Sequence, residues 1–434
     1  MDRTRLPIEV ELVYEVMPCN ALRTVQEPGL TPHPCTYFRR WGSYHSYDYT
    51  IEGAPPEPNI SQPIRYVGRA TALPEILTGC RKAPILALGI NPNLPGWWAG
   101  RRRWLNPVFD DYRQFAHYFR YRASVKLEIT AKEFHDFGGE ASEDPFDKRE
   151  LTVPPDAHGD RLIESRRQPQ AMYLAYQSLL DGLAQEMKWG GSHLAVGEDL
   201  AYANMVACPS ARWTTAADPA DPQLPPMTTV ERDGIVTECF HKRRYFLRQL
   251  FQSLPPIIVI FSQATANVFN AELAARFVEG KPALGEGLAT LGSRAVRLSY
   301  GNLSDGTELD ARVIYAPHAT GNPESFAAAR DHVVAQLVEE AKAGNIRLNP
   351  ATKRLRRGRG ACVFCPMLEI GICDYEAELE PVSQLTALTA DSPAIDLRRE
   401  RTTLESLMAK VEIPPTVPEA WGRSDEPYDQ GIDG

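Results

Sequence analysis

Four short apolar runs are spread along the chain with helix-like stretches between them: Ala83–Ile90, Leu200–Val206, Pro256–Phe261 and Arg312–Ala316. Each is rich in aliphatic residues and has β-branched content, and most lack the polar alternation of a half-exposed strand. They read as strands buried on both faces. Apolar residues at helical spacing mark Gln170–Lys188, Phe240–Gln252, Ala264–Phe277 and Glu324–Ala343 as helices. Strands alternating with helices predict an α/β fold, a three-layer α/β/α sandwich with a central, mostly parallel sheet over residues 81–345. Such sheets place their working loops at the carboxyl ends of the strands, so the chemistry is sought there.

The rest of the 434 residues departs from this pattern. Residues 1–80 form an N-terminal extension, aromatic and Pro-rich, with Tyr37, Phe38, Trp41, Tyr44, Tyr47 and Tyr49 close together; short strands are expected in it. A long charged insertion, 101–168, interrupts the α/β core. Residues 346–379 are basic and Cys-bearing, and 380–434 read as a polar tail, poorly ordered at its end. No internal repeat is visible.

The balance of 47 Lys and Arg against 56 Asp and Glu leaves a net charge of −9, which excludes nucleic-acid binding by bulk attraction. Contact with DNA must then come from local basic runs. Two exist: Arg101, Arg102 and Arg103 follow the first strand's loop, and Lys353, Arg354, Arg356, Arg357 and Arg359 precede a Cys-x-x-Cys. No apolar stretch approaches the roughly 20 residues of a membrane span, and the N-terminus lacks a signal peptide's apolar centre. A soluble, cytoplasmic protein is expected. Eight cysteines in a reducing compartment point to metal rather than to a disulfide framework.

The loop after the first strand, Gly89-Ile-Asn-Pro-Asn-Leu-Pro-Gly-Trp-Trp98, is stiffened by proline and presents Asn91 at the strand's end. A carboxamide there can hold a water by accepting from it and donating to a neighbour. The alternative is an Asn-Pro turn initiator. Neither glycine-rich phosphate pattern fits.

Gly89-Ile90-Asn91-Pro92 with Leu94 resembles the first motif of the uracil-DNA glycosylase superfamily, in its thymine/mismatch-specific branch, with Asn93 in place of a glycine. Tyr202-Ala-Asn204-Met-Val206 resembles the second-strand segment, and Pro256–Ala264 the third strand and its turn into a helix. Ala316-Pro-His318-Ala-Thr-Gly-Asn322 resembles the His motif that ends the last strand, with Ala319 in place of proline. The resemblance implies a monofunctional DNA glycosylase. Asn91 would position the attacking water, Asn204 would read the edge of a flipped base, and His318 would donate to the oxygen of the departing base. Trp97 and Trp98 are candidates to stack on that base.

The cysteines resemble the superfamily's iron–sulfur branch. Cys208 follows the second strand and Cys239 opens the next helix, while Cys362-Val-Phe-Cys365 supplies a pair from the far end of the chain. The expected ligands of a 4Fe-4S cluster are Cys208, Cys239, Cys362 and Cys365, with Cys373 as rival ligand and zinc as the alternative metal. Cys19 and Cys35 have no evident partners, and Cys80 reads as an ordinary thiol. The insertion 101–168 lies between the water-holding loop and the base-reading strand, which suggests a base bulkier than uracil, such as a modified cytosine of invading phage DNA. Two other readings stand beside this one. An iron–sulfur nuclease of RecB type would use Glu186-Met-Lys188 or Glu279-Gly-Lys281, neither in a strand-like run; a catalytically inactive nucleic-acid sensor would keep the fold alone.

Overall fold

The computed structural model describes residues 77–80, 83–91, 127–130, 162–165, 171–207, 213, 229–302, 306, 308–350, 353–357 and 416–422. All four expected strands are present, as β2 (Ile85–Gly89), β5 (Leu200–Asn204), β6 (Ile257–Phe261) and β9 (Glu308–Ala316), after β1 (Leu77–Thr78). They lie side by side in the order β5-β2-β6-β9, all parallel. Outside them the sheet turns antiparallel: β1 pairs with β5, β8 (Arg297–Asn302) with β9, and β7 (Phe277–Glu279) with β8. The seven-stranded sheet is therefore mixed, parallel only in its centre. Strand β8 carries no continuous apolar run, because only its alternate residues, Leu298 and Tyr300, are buried.

The strand pair β3 (Leu127–Thr130) and β4 (Leu162–Ser165), antiparallel and separate from the main sheet, lies within the insertion. A second hairpin, β10 (Ile346–Leu348) and β11 (Leu355–Arg357), follows the core.

Alternation along the central strands divides the apolar side chains between two faces. Leu86, Leu88, Ile258, Ile260 and Val313 face one side, with Phe246 and Leu250 of α3 (Tyr245–Ser253) and Phe269 of α4 (Gln263–Glu272). Ile85, Ala87, Ile257, Val259 and Ile314 face the other, with Tyr176 and Leu180 of α1 (Ala171–Glu186) and Val333 and Leu337 of α6 (Pro323–Lys342). Helical residues thus join the apolar cluster on each face. On the second face α1 and α6 approach closely at Gly182, where a Cβ would lie 2.8 Å from Val334.

Helix α6 agrees with its expected span: the Asn322 side chain accepts from the Ser325 amide, Pro323 opens the first turn, and Gly344 stops the chain at φ +83°. The expected helix Phe240–Gln252 is instead two pieces. After α2 (Thr229–Ile235) a π-helical turn, Val236–Lys242, runs to Arg244, whose φ of +57° breaks the helix before α3. Helix α4 ends at Glu272, and Phe277 begins β7 instead of extending it. A short helix α5 (Leu288–Gly292) precedes β8.

Part of the expected loose tail belongs to the core. Trp421, in a short 3-10 turn at Glu419–Gly422, is 1% exposed. Its ring packs on Phe240 and Trp213, and its indole donates to Glu272 Oε1 at 2.6 Å. The same oxygen lies 2.9 Å from His241 Nε2. Among the described residues no helix is long and apolar enough to cross a membrane.

Candidate active site

The parallel strands end level. Gly89 stands opposite Asn204, Leu88 opposite Ile260, and Phe261 opposite Ala316. Asn91 follows two residues after the end of β2 and His318 two after the end of β9, so Asn91, Asn204 and His318 come to one rim of the sheet. Only β6 separates β2 from β9, a span of roughly 10 Å at the usual strand spacing.

Asn91 is 8% exposed. Pairing between β2 and β5 continues past the strand ends, with Met205 N donating to Gly89 O and Val206 N to Ile90 O. That pairing fixes the backbone that delivers Asn91.

Asn204 is buried, and its Oδ1 accepts from Tyr202 Oη at 3.0 Å. Its Nδ2 is also buried, and no described residue takes it. An unmet buried donor costs about 1–3 kcal/mol and calls for an explanation. The carboxamide lies across Gly89, where a Cβ would come within 2.9 Å of Oδ1. Gly89 is thus glycine to admit the Asn204 side chain.

His318 is held from one side. Its Nδ1 accepts from the Gly321 amide at 2.8 Å and the Thr320 amide at 3.3 Å, and Asn322 N donates to His318 O. These bonds shape the loop that holds Ala319, itself buried. Burial lowers the imidazole pKa to about 4. The ring is therefore neutral at neutral pH, and because Nδ1 accepts, its proton sits on Nε2. Among the described residues nothing accepts from Nε2, so the site holds a neutral N–H donor.

Ser262 also lies between these strand ends. It follows β6 at φ +87°, ψ 150°, a region nearly restricted to glycine that costs about 1–3 kcal/mol. The strand–Ser–helix order resembles a nucleophile's setting, but Oγ caps α4, accepting from Thr265 N at 3.2 Å and lying 2.9 Å from Thr265 Oγ1. It is committed to structure. The sequence signal was a non-glycine residue at an abrupt strand-to-helix junction.

Arg356 and Arg357 are not brought to this rim. Their hairpin is tied to the opposite end of β5, where Leu355 N donates to Asp199 Oδ1 at 2.6 Å, Ala195 N to Asp199 Oδ2 at 2.7 Å, and His193 N to Lys353 O at 3.0 Å. Burial pushes the Asp199 carboxyl up to about 7, against those bonds and nearby Arg354. Helix α6, 20 residues and so about 30 Å long, runs between the two ends.

Cys239 is buried in the π-helical turn, in the same apolar cluster as Ala207, the residue before Cys208. Cys208, Cys362, Cys365, Cys373, Trp97, Trp98, Arg101, Arg102 and Arg103 lie outside the described residues. Among the described residues no group of three or more His, Cys, Asp and Glu is placed to hold a metal ion. For the nuclease reading, Glu279 does lie in a strand, contrary to expectation, at the end of edge strand β7. Its carboxylate, with those of Asp310 and Glu340, converges on Arg297 at 3.7, 3.1 and 3.0 Å. A guanidinium occupies the centre of that acidic group. Glu186 ends helix α1 and is on no strand.

No protein-family model matches the chain, and no curated protein matches it either.

Proposed function

We propose that this chain is a monofunctional DNA glycosylase of the uracil-DNA glycosylase superfamily, built on an α/β/α sandwich, that hydrolyses the N-glycosidic bond of a flipped pyrimidine. The observation that carries the reading is the placement of His318, its Nδ1 taken by the Gly321 amide at 2.8 Å and its Nε2 left to donate, on the same rim as two buried carboxamides. As the bond between C1′ and the base nitrogen breaks, its electron pair leaves with the base. His318 Nε2–H donates to the base oxygen that gathers this charge, a role for which the ring needs no prior protonation. Asn91 holds a water below C1′; its oxygen bonds to the sugar carbon and its proton passes to solvent. Asn204 Nδ2 donates to the base edge. No covalent enzyme intermediate is required.

An iron–sulfur cluster on Cys208, Cys239, Cys362 and Cys365 would tie the segment that carries Cys362 and Cys365 to the middle of the chain and would have no part in bond cleavage. Visible absorbance of the purified protein, lost in Cys239→Ala, tests this and separates it from zinc.

The function is tested on oligonucleotides carrying uracil, mismatched thymine or modified cytosines, scored for abasic sites. We expect cleavage of at least one, with a loss on the order of 100-fold or more in Asn91→Ala and in His318→Ala. Full activity in both variants, or strand scission without an abasic site, overturns the reading. Tight binding without cleavage would identify an inactive sensor.

A further inference from the structure

We propose that Tyr202 is a positioning residue: it fixes the Asn204 carboxamide with its amino group towards the site, so that the site takes a base with a carbonyl, not an amino group, at that edge. This rests on the glycosylase reading above and narrows it.

Tyr202 and Asn204 are two apart on β5 and so share a face of the sheet. The phenol hydroxyl meets Asn204 Oδ1 at 3.0 Å. A phenol donates better than it accepts, so it draws the carbonyl end of the carboxamide to itself. The ring cannot swing away, because Tyr173 packs edge-on against it at 6.4 Å and Tyr176 at 5.8 Å. Tyr176, fully buried, is backed in turn by Phe261 at 4.8 Å. The other side of the carboxamide rests on Gly89. With Oδ1 committed, the group left to a ligand is Nδ2, buried and taken by no described residue.

A pyrimidine with oxygen at C4 accepts from that amino group. One with an amino group at C4 sets donor against donor and leaves both unmet. A well-made contact of this kind separates bases roughly 10- to 100-fold. Among substrates of equal bulk the geometry therefore favours the uracil type over the modified cytosine suggested by the insertion.

The test compares kcat/KM on matched oligonucleotides carrying 5-hydroxymethyluracil or 5-hydroxymethylcytosine, for the full chain and for Tyr202→Phe. The full chain should prefer the uracil derivative roughly 10-fold or more, and the variant should lose most of that preference. A merely structural tyrosine would depress both substrates alike and leave the ratio unchanged. That result, or a preference of the full chain for the cytosine derivative, overturns the proposal. If no base is excised, the glycosylase reading fails separately. The ratio is then read from binding of uridine and cytidine monophosphate, where equal affinities in both proteins overturn the positioning role.

Discussion

A methyl group at position 89 would stand 2.9 Å from Asn204 Oδ1 and 3.6 Å from Tyr202 Oη, closer to the former than side chains tolerate. The carboxamide cannot turn aside, since Tyr173 and Tyr176 hold the phenol. Gly89→Ala should therefore cost on the order of 10-fold or more in base excision and about 1–3 kcal/mol in stability. Parallel kinetics and thermal melts measure both. That Asn91 and His318 come to one rim was legible in the sequence, because each follows the end of an apolar run; their roles, and that of Asn204, were implied only by a family resemblance. What holds them was not legible. The tautomer of His318 follows from backbone amides aimed at Nδ1, and the setting of Asn204 from rings on α1, some 30 residues earlier in the chain.

Elements buried on both faces were found from their composition alone, as with β2 and β6. Those that share their surroundings with polar groups were not. Strand β8 alternates, and the break at Arg244 comes where Arg243 N donates back to Glu238 O and its guanidinium pairs with Glu238 at 2.7 Å. The turn carrying Trp421 gave no local signal, because its partners, Trp213 and Glu272, lie 208 and 149 residues away. Replacing Trp421 by Ala should cost about 3–5 kcal/mol, since it empties a filled site and removes a donor from the partly buried Glu272. Urea unfolding checks this; an unchanged midpoint would show the turn to be dispensable.

The two ends of the sheet carry opposite pH dependences. Burial lowers the His318 pKa to about 4, so as pH falls from about 6.5 the unfolded chain takes up a proton that the folded one refuses, and stability falls. Asp199, raised to about 7 by burial, keeps a proton in the fold that the unfolded chain has already lost; its contribution falls as pH rises from about 4 to 7. Each slope is at most about 1.4 kcal/mol per pH unit. Between about pH 5 and 7 the two should largely cancel. His318→Ala should leave stability declining with rising pH, and Asp199→Asn should leave it climbing. Denaturant midpoints across that window report both slopes.

The docking of Trp421 also sets an order of events during synthesis. The helices and strands that surround its site are made long before it, so a nascent chain emerging from the ribosome must carry an open hole beside Phe240 until residue 421 arrives. Closure of that face is a late step, and the half-made protein depends on its surroundings, or on chaperones, to keep the exposed aromatic surface from sticking.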